Sequence, residues 1–231
     1  MTRDSKPVIV LVALLTLTPA ASQGQVRRPQ TVPTSPEILL RGFGDAGATV
    51  FAATRSFEAI LGRPSGPIFG GGIELVEPPH WFLSLSASRF KRTGHRVFVF
   101  ENQVFNLNVP AEITVTPLEL TFGYRFANPR VAARAPRRAV VPYAGGGVGW
   151  HRLEETSPQS VEGGDVRQTS TGYHVLGGVE IPVGRWLAVA PEAQWTSVPN
   201  ALGNDPSGVS SVYNEHNLGG VTFRIKVVFG R

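Results

Sequence analysis

Apolar and polar residues alternate with a period of two in eight separate segments of this chain. The last is the clearest. In Leu218–Phe229, Val221, Phe223, Ile225, Val227 and Phe229 share one face, opposite Thr222, Arg224, Lys226 and Val228. This period belongs to an extended strand, whose side chains point to opposite faces in turn. Trp186–Thr196 sets Leu187, Val189, Ala193 and Trp195 against Glu192, Gln194 and Thr196. Tyr173–Val183 sets Val175, Val179 and Ile181 against His174, Gly178 and Glu180. Pro142–Glu154 is glycine-rich, with Val148 and Trp150 on one face. Glu112–Phe126 sets Leu118, Leu120, Phe122 and Tyr124 against Glu119, Thr121 and Arg125. Trp81–Arg89 sets Leu83 and Leu85 against Ser84, Ser86 and Ser88, and Pro67–Glu77 sets Phe69, Ile73 and Leu75 against Gly72 and Glu74. Phe43–Thr54, with Ala46, Ala48 and Val50 opposite Asp45 and Thr49, is the weakest.

The connections alternate in length. Those after the first, third, fifth and seventh segments are long (Arg55–Gly66, Phe90–Ala111, Glu155–Gly172, Ser197–Asn217). Those after the second and sixth are short (Pro78–His80, Gly184–Arg185). Long loops at one end and short turns at the other are the mark of a membrane barrel. The fourth connection, Ala127–Val141, breaks the rule: it is long and carries Arg130, Arg134, Arg137 and Arg138. After the N-terminal region no stretch reaches 18 apolar residues, so the pattern offers no spanning helix. It predicts an all-β fold, an eight-stranded antiparallel up-and-down transmembrane β-barrel over residues 42–231.

The polar face decides the orientation. Glu74, Glu119, Glu180 and Glu192 share it with Arg125, Arg224 and Lys226. An eight-stranded barrel is just wide enough to be filled by side chains. Charges placed there must pair, because an unpaired buried charge costs several kcal/mol. These seven residues are therefore expected to form a structural charge network that plugs the lumen, with the apolar face outward. A soluble lipocalin-like barrel, apolar face inward, is the competing arrangement. Trp81, Trp150, Trp186, Trp195, Tyr124, Tyr143 and Tyr173 fall near segment ends, where an aromatic girdle belongs. A quasi-repeat, Gly71-Gly72-Ile73-Glu74, Gly177-Gly178-Val179-Glu180 and Gly219-Gly220-Val221-Thr222, puts the second glycine on the polar face. Glycine there relieves crowding where a small barrel curves tightly.

The N-terminus adds an address. Arg3 and Lys6 precede an apolar run, Val8–Leu17, followed by the small residues Ala20-Ala21-Ser22. This is the layout of a secretory signal, read as residues 1–24, and residues 25–41 follow as a polar, Pro-rich leader. The chain has no Cys, which excludes disulfides and thiolate chemistry. Its net charge of +5 is scattered apart from the arginine cluster, without the aromatic-and-basic module of a nucleic-acid binder.

The signal, the eight alternating segments and the closing Val221-x-Phe223-x-Ile225-x-Val227-x-Phe229 resemble small outer-membrane β-barrel proteins, the OmpA-transmembrane-domain and OmpX-like group. The resemblance covers roughly Phe43 to Arg231. It implies an outer-membrane location, lipid as the surrounding partner, and a monomer. It also implies that Phe229 acts as the C-terminal assembly signal read by the barrel assembly machinery, although Gly230 and Arg231 follow it. Some such barrels are lipid A deacylases with a His-x-Ser pair, which this chain lacks.

Other chemistry is thin. Gly42-Phe43-Gly44-Asp45-Ala46-Gly47 fits a dinucleotide fingerprint only in letters, because no strand precedes it and no helix follows. His80, His95, His151, His174 and His216 form no metal-binding spacing. His151 reads as a residue of the solvated loop mouth, and His174 as lacking a nucleophile beside it. No cofactor, metal or catalytic residue is expected, and the chain reads as a non-enzyme with a structural or surface-interaction role. A small solute or ion pore and a lipid-modifying enzyme are the alternatives. Phe57-Glu58-Ala59-Ile60-Leu61 predicts a short amphipathic helix. Val97–Phe100 and Val104-Phe105 predict extensions of the third and fourth strands beyond the membrane.

Overall fold

The computed structural model describes residues 38–77, 80–101, 103–127, 140–156, 166–203 and 208–230. The signal segment, most of the leader and the four clustered arginines lie outside the described residues.

Eight strands form: β1 (Leu39–Phe51), β2 (Ser65–Glu77), β3 (Trp81–Phe100), β4 (Gln103–Arg125), β5 (Val141–Thr156), β6 (Val166–Pro182), β7 (Leu187–Ser197) and β8 (Gly220–Phe229). Each pairs antiparallel with the next, and β8 returns to β1 from Gly42↔Phe229 to Phe51↔Gly220. Closure pairs every strand of the wall on both sides, as a sheet in lipid requires. Leu83, Leu85, Leu118, Leu120, Phe223 and Ile225 are exposed on the outside, while Glu74, Ser84, Glu119 and Arg224 are buried inside. The inverted distribution excludes the lipocalin-like arrangement with its apolar face inward.

Several expectations change. β1 begins at Leu39 rather than Phe43, so Arg41 belongs to the barrel and not to the leader. The alternation continues backward because Leu40 faces outward and Arg41 finds acidic partners inside. Phe90–Ala111 is hardly a loop: β3 and β4 run on as one long hairpin up to the Phe100↔Gln103 pair, with the register shifted between His95 and Val97. Tyr143 is not part of a girdle. It faces the lumen, buried, because the hydroxyl meets a carboxylate there. The expected helix is present as α1 (Thr54–Leu61), and a single turn, α2 (Val209–Val212), lies in the connection between β7 and β8.

Three cross-strand pairs set an aromatic residue opposite an inward glycine. Phe43 lies opposite Gly72, Phe82 opposite Gly123, and Tyr143 opposite Gly178. In each pair the aromatic ring occupies the space that a Cβ on the glycine would need; at Gly178 the Tyr143 ring would be 2.5 Å away. The ring covers the bare backbone, and the curved wall gains contact without added bulk.

Candidate functional site

Among the described residues, buried polar and charged side chains converge in the lumen, and they are layered. The layer nearest the chain termini holds Arg41 and Arg125 from β1 and β4, with Glu74 and Glu180 from β2 and β6. Arg41 bridges two strands, donating to Glu74 and, from Nη1, to Glu180 at 3.0 Å and 3.1 Å. Arg125 Nη2 donates to the same Glu180 at 2.8 Å. Two guanidiniums thus meet two carboxylates across the full width of the barrel.

The middle layer centres on Glu192. Its carboxylate accepts from Tyr143 Oη at 2.9 Å, Arg224 Nε at 2.6 Å and Lys226 Nζ at 3.2 Å. The Lys226 ammonium also stands 4.3 Å above the Phe43 ring. Such a cation over an aromatic face is attracted by the ring quadrupole. Arg224 donates onward to Gln194, and Gln194 Nε2 donates to Glu119 at 2.7 Å. Asp45 is buried beside this layer, with both carboxylate oxygens lacking a hydrogen-bond partner.

The upper layer gathers around Glu119. His151 Nε2 lies 3.7 Å and His174 Nδ1 3.9 Å from its Oε1, and His174 Nε2 is 2.9 Å from Thr121 Oγ1. Two expectations are corrected here. His151 is buried in the lumen rather than solvated at the mouth, because β5 carries it inward opposite Pro117. His174 does have a hydroxyl beside it, that of Thr121, but its Nδ1 makes no hydrogen bond and lies 3.9 Å from Glu119, so the three residues do not join into a hydrogen-bonded nucleophile–base–acid relay. Sequence spacing missed the hydroxyl because the three residues come from two adjacent-but-one strands. The Thr121 hydroxyl and the His174 imidazole both belong to buried residues.

Above this layer is a small cavity of about 40 Å³, with Thr49, Ser88, Glu119, His151 and Thr222 among its polar walls and Phe51, Ile68, Phe90 and Leu218 among its apolar ones. That is room for a water or two. An apolar lid then closes the loop end of the barrel. Phe51 stacks on Phe57 of α1 at 4.1 Å between centroids and meets Phe90 edge-on at 4.9 Å; Leu61, Ile68, Ile113, Val115, Val198 and Leu218 complete the lid.

All seven expected network residues face the lumen; six are in ion pairs, and the seventh, Glu119, accepts from Gln194 and stands within 4 Å of His151 and His174. Arg41, Asp45, Tyr143, Gln194 and the two histidines join them unforeseen. Among the described residues no group of His, Cys, Asp and Glu is arranged to hold a metal ion.

Neither a protein-family profile nor a curated protein matches the sequence. Solved structures do resemble the fold. Neisserial surface protein A superposes with a TM-score of 0.50 at 15% identity, over 84% of this chain and 97% of that one. The outer-membrane protein OprG of Pseudomonas aeruginosa gives a TM-score of 0.49 at 14% identity, over 84% and 96%. The β-barrel domain of OprF from the same organism gives 0.45 at 14% identity, over 84% and 98%. The chain has the closed eight-stranded up-and-down fold of small outer-membrane β-barrels, with the apolar surface outside and the charges within.

Proposed function

We propose that this chain is an outer-membrane barrel with a closed lumen, acting as a structural and surface-interaction protein rather than as a pore or an enzyme. The observation that carries this reading is the double closure. Three layers of paired polar groups fill the barrel, and an apolar lid covers them at the loop end; the space left between the two is about 40 Å³, while a cavity of about 310 Å³ lined by Phe57, Ile60, Ile113 and Leu153 lies among the loop-end residues. The outward apolar band supports residence in lipid. Residues 1–24 act as the secretory signal and residues 25–38 as the leader that precedes the barrel. Phe229 faces outward at the end of β8, where the assembly machinery reads it, and the barrel is a monomer.

The surface role rests on the extended β3–β4 hairpin. Beyond the register shift, Phe98 pairs with Phe105, and Phe98, Phe100, Phe105 and Leu107 are exposed on one face of this ribbon. Exposed apolar clusters of this kind mark contact surfaces. The test is reconstitution in planar bilayers beside a gel assay for heat-modifiable mobility. A folded, heat-modifiable band without channel openings is expected. Steady unitary conductance would refute the closed lumen, and recovery of folded protein without detergent would refute membrane residence. The enzyme reading has only the Thr121–His174 hydrogen bond in its favour; an unchanged lipid A mass spectrum in cells with and without the protein is the expected result.

A further inference from the structure

At the loop end the barrel wall is uneven. β3 to β6 run on past the level at which β1 and β7 end, at Phe51 and Ser197. On the low side, α1 and the β7–β8 connection with α2 stand in for the missing wall. Between them and the taller strands lies the cavity of about 310 Å³. α1 is held on several sides. Phe57 stacks on Phe51, and the Ile60 carbonyl lies so close to Gly94 of β3 that a Cβ there would have no room. Glu215 of the β7–β8 connection accepts from the backbone amides of Arg55 at 3.0 Å and Ser56 at 2.8 Å. A carboxylate at that end also suits the helix dipole. With the helix fixed, Ser56 and Ile60, four residues apart, turn one face to the cavity.

The wall is largely carbon, from Phe57, Ile60, Ile113, Leu153 and Leu202. Its one ion pair is internal to the wall: Arg96 Nε donates to Glu155 Oε1 at 3.4 Å, so each neutralises the other. Ser210 Oγ is also engaged, donating to the Leu202 carbonyl at 2.9 Å. Ser56 is different. The residue is 4% exposed, and its hydroxyl has no hydrogen-bond partner among the described residues. A buried hydroxyl left unpaired is costly, and rotation about one bond re-aims it. The cavity thus presents an apolar surface, no net charge and a single hydroxyl waiting for a partner. A mostly apolar pocket with a few placed polar groups is the usual build of a small-molecule site.

We propose that this loop-end cavity binds a compact, uncharged, largely apolar molecule carrying one hydrogen-bonding oxygen, which the Ser56 hydroxyl meets. Size, charge and polarity each narrow the class. A cavity of about 150 Å³ holds benzene, so this one suits roughly a dozen non-hydrogen atoms, one or two rings and not a chain-bearing lipid. An ionised ligand would find no unmatched counter-charge on the wall, because Arg96 and Glu155 already hold each other. A pure hydrocarbon would leave the Ser56 hydroxyl buried and unpaired. The site stands beyond the apolar lid, so it does not depend on whether the lumen conducts.

The test uses the full mature barrel in lipid nanodiscs, with isotope-labelled Ile and Leu methyls read by NMR. Three bicyclic probes of similar size are titrated: 2-naphthol, naphthalene and 2-naphthoate. With 2-naphthol, saturating shifts are expected at Ile60, Ile113 and Leu153, while Ile73 and Leu85, which face lipid, report only unsaturable partition into the bilayer. Naphthalene is expected to bind roughly three- to tenfold more weakly, the worth of one neutral hydrogen bond, and 2-naphthoate more weakly still. Ser56→Ala is expected to erase the preference for 2-naphthol over naphthalene without abolishing binding. Leu153→Trp is expected to fill the space and remove saturation at Ile113 for every probe. A heat-modifiable band certifies each variant as folded; should Leu153→Trp lack it, Ser56→Ala decides alone. Unsaturable shifts at every methyl in the parent protein overturn the site. A preference that survives Ser56→Ala overturns the role of the hydroxyl, and tighter binding of 2-naphthoate overturns the uncharged class.

Discussion

Glu192 and Asp45 are both buried carboxylates near Arg224 and Lys226, and their surroundings differ in one respect that decides how each tolerates change. Glu192 accepts three hydrogen bonds, from Tyr143, Arg224 and Lys226, whereas neither oxygen of Asp45 accepts any. Glu192→Gln leaves two buried cations without their shared counter-charge, so a loss of about 3 kcal/mol is expected. Asp45→Asn removes a charge but no hydrogen bond, and a change within about 1 kcal/mol is expected. Urea titration of the barrel in lipid vesicles reads both; equal losses would mean that the pairing at Glu192 contributes nothing special. The glycines give a second contrast. A methyl on Gly178 would meet the Tyr143 ring at 2.5 Å and the Pro191 carbonyl at 2.8 Å, while one on Gly177, facing lipid, would meet nothing closer than 3.8 Å. Gly178→Ala should therefore destabilise by about 1–3 kcal/mol and Gly177→Ala by far less, in the same titration. Comparable losses at both positions would sink the role given to the ring–glycine pairs.

Among the elements, the long hairpin and α1 divide the protein into a wall and its fittings. The ribbon beyond His95 contributes no residue to the charge layers, so replacing Val97–Asn106 by a two-residue Asn-Gly turn should leave heat-modifiable folding intact while removing the exposed Phe98, Phe100 and Phe105. Loss of the folded band in that variant would show that the ribbon is needed for the wall itself. The strands were legible in the sequence because lipid outside and charge inside impose opposite demands on successive residues, which leaves a period of two even where the segment is glycine-rich. α1 was legible for the same reason at a different period. The start of β1 was not, because Arg41 resembles a leader residue until its partner strands are known. Nor were the partners themselves. Arg41 reaches Glu180 across 139 positions, and His174 reaches Thr121 across 53. Which lumen residues meet depends on the stagger of the closed barrel, and that quantity is fixed by all eight registers together.

For the molecule as a whole, the two closures stand in series along one axis. Any solute passing through must clear both the apolar lid and the charge layers, so removing either alone leaves the other in place. The lid is thinned by Phe57→Ala with Phe90→Ala, which empties two of the ring positions packed around Phe51. The charge layer nearest the termini is opened by replacing Arg41 and Glu74 together with serine. Taking out both partners avoids a stranded charge, and Glu180 keeps Arg125 at 2.8 Å. Each double variant is expected to stay at the baseline of a planar bilayer, and the combined fourfold variant to show resolvable openings. The comparison is informative because the fourfold variant keeps the Glu192 layer, whose side chains can move aside only once there is space on both sides. Conductance in the lid variant alone would mean that the charge layers already admit ions, and the lumen would then have to be read as a gated passage held shut by α1.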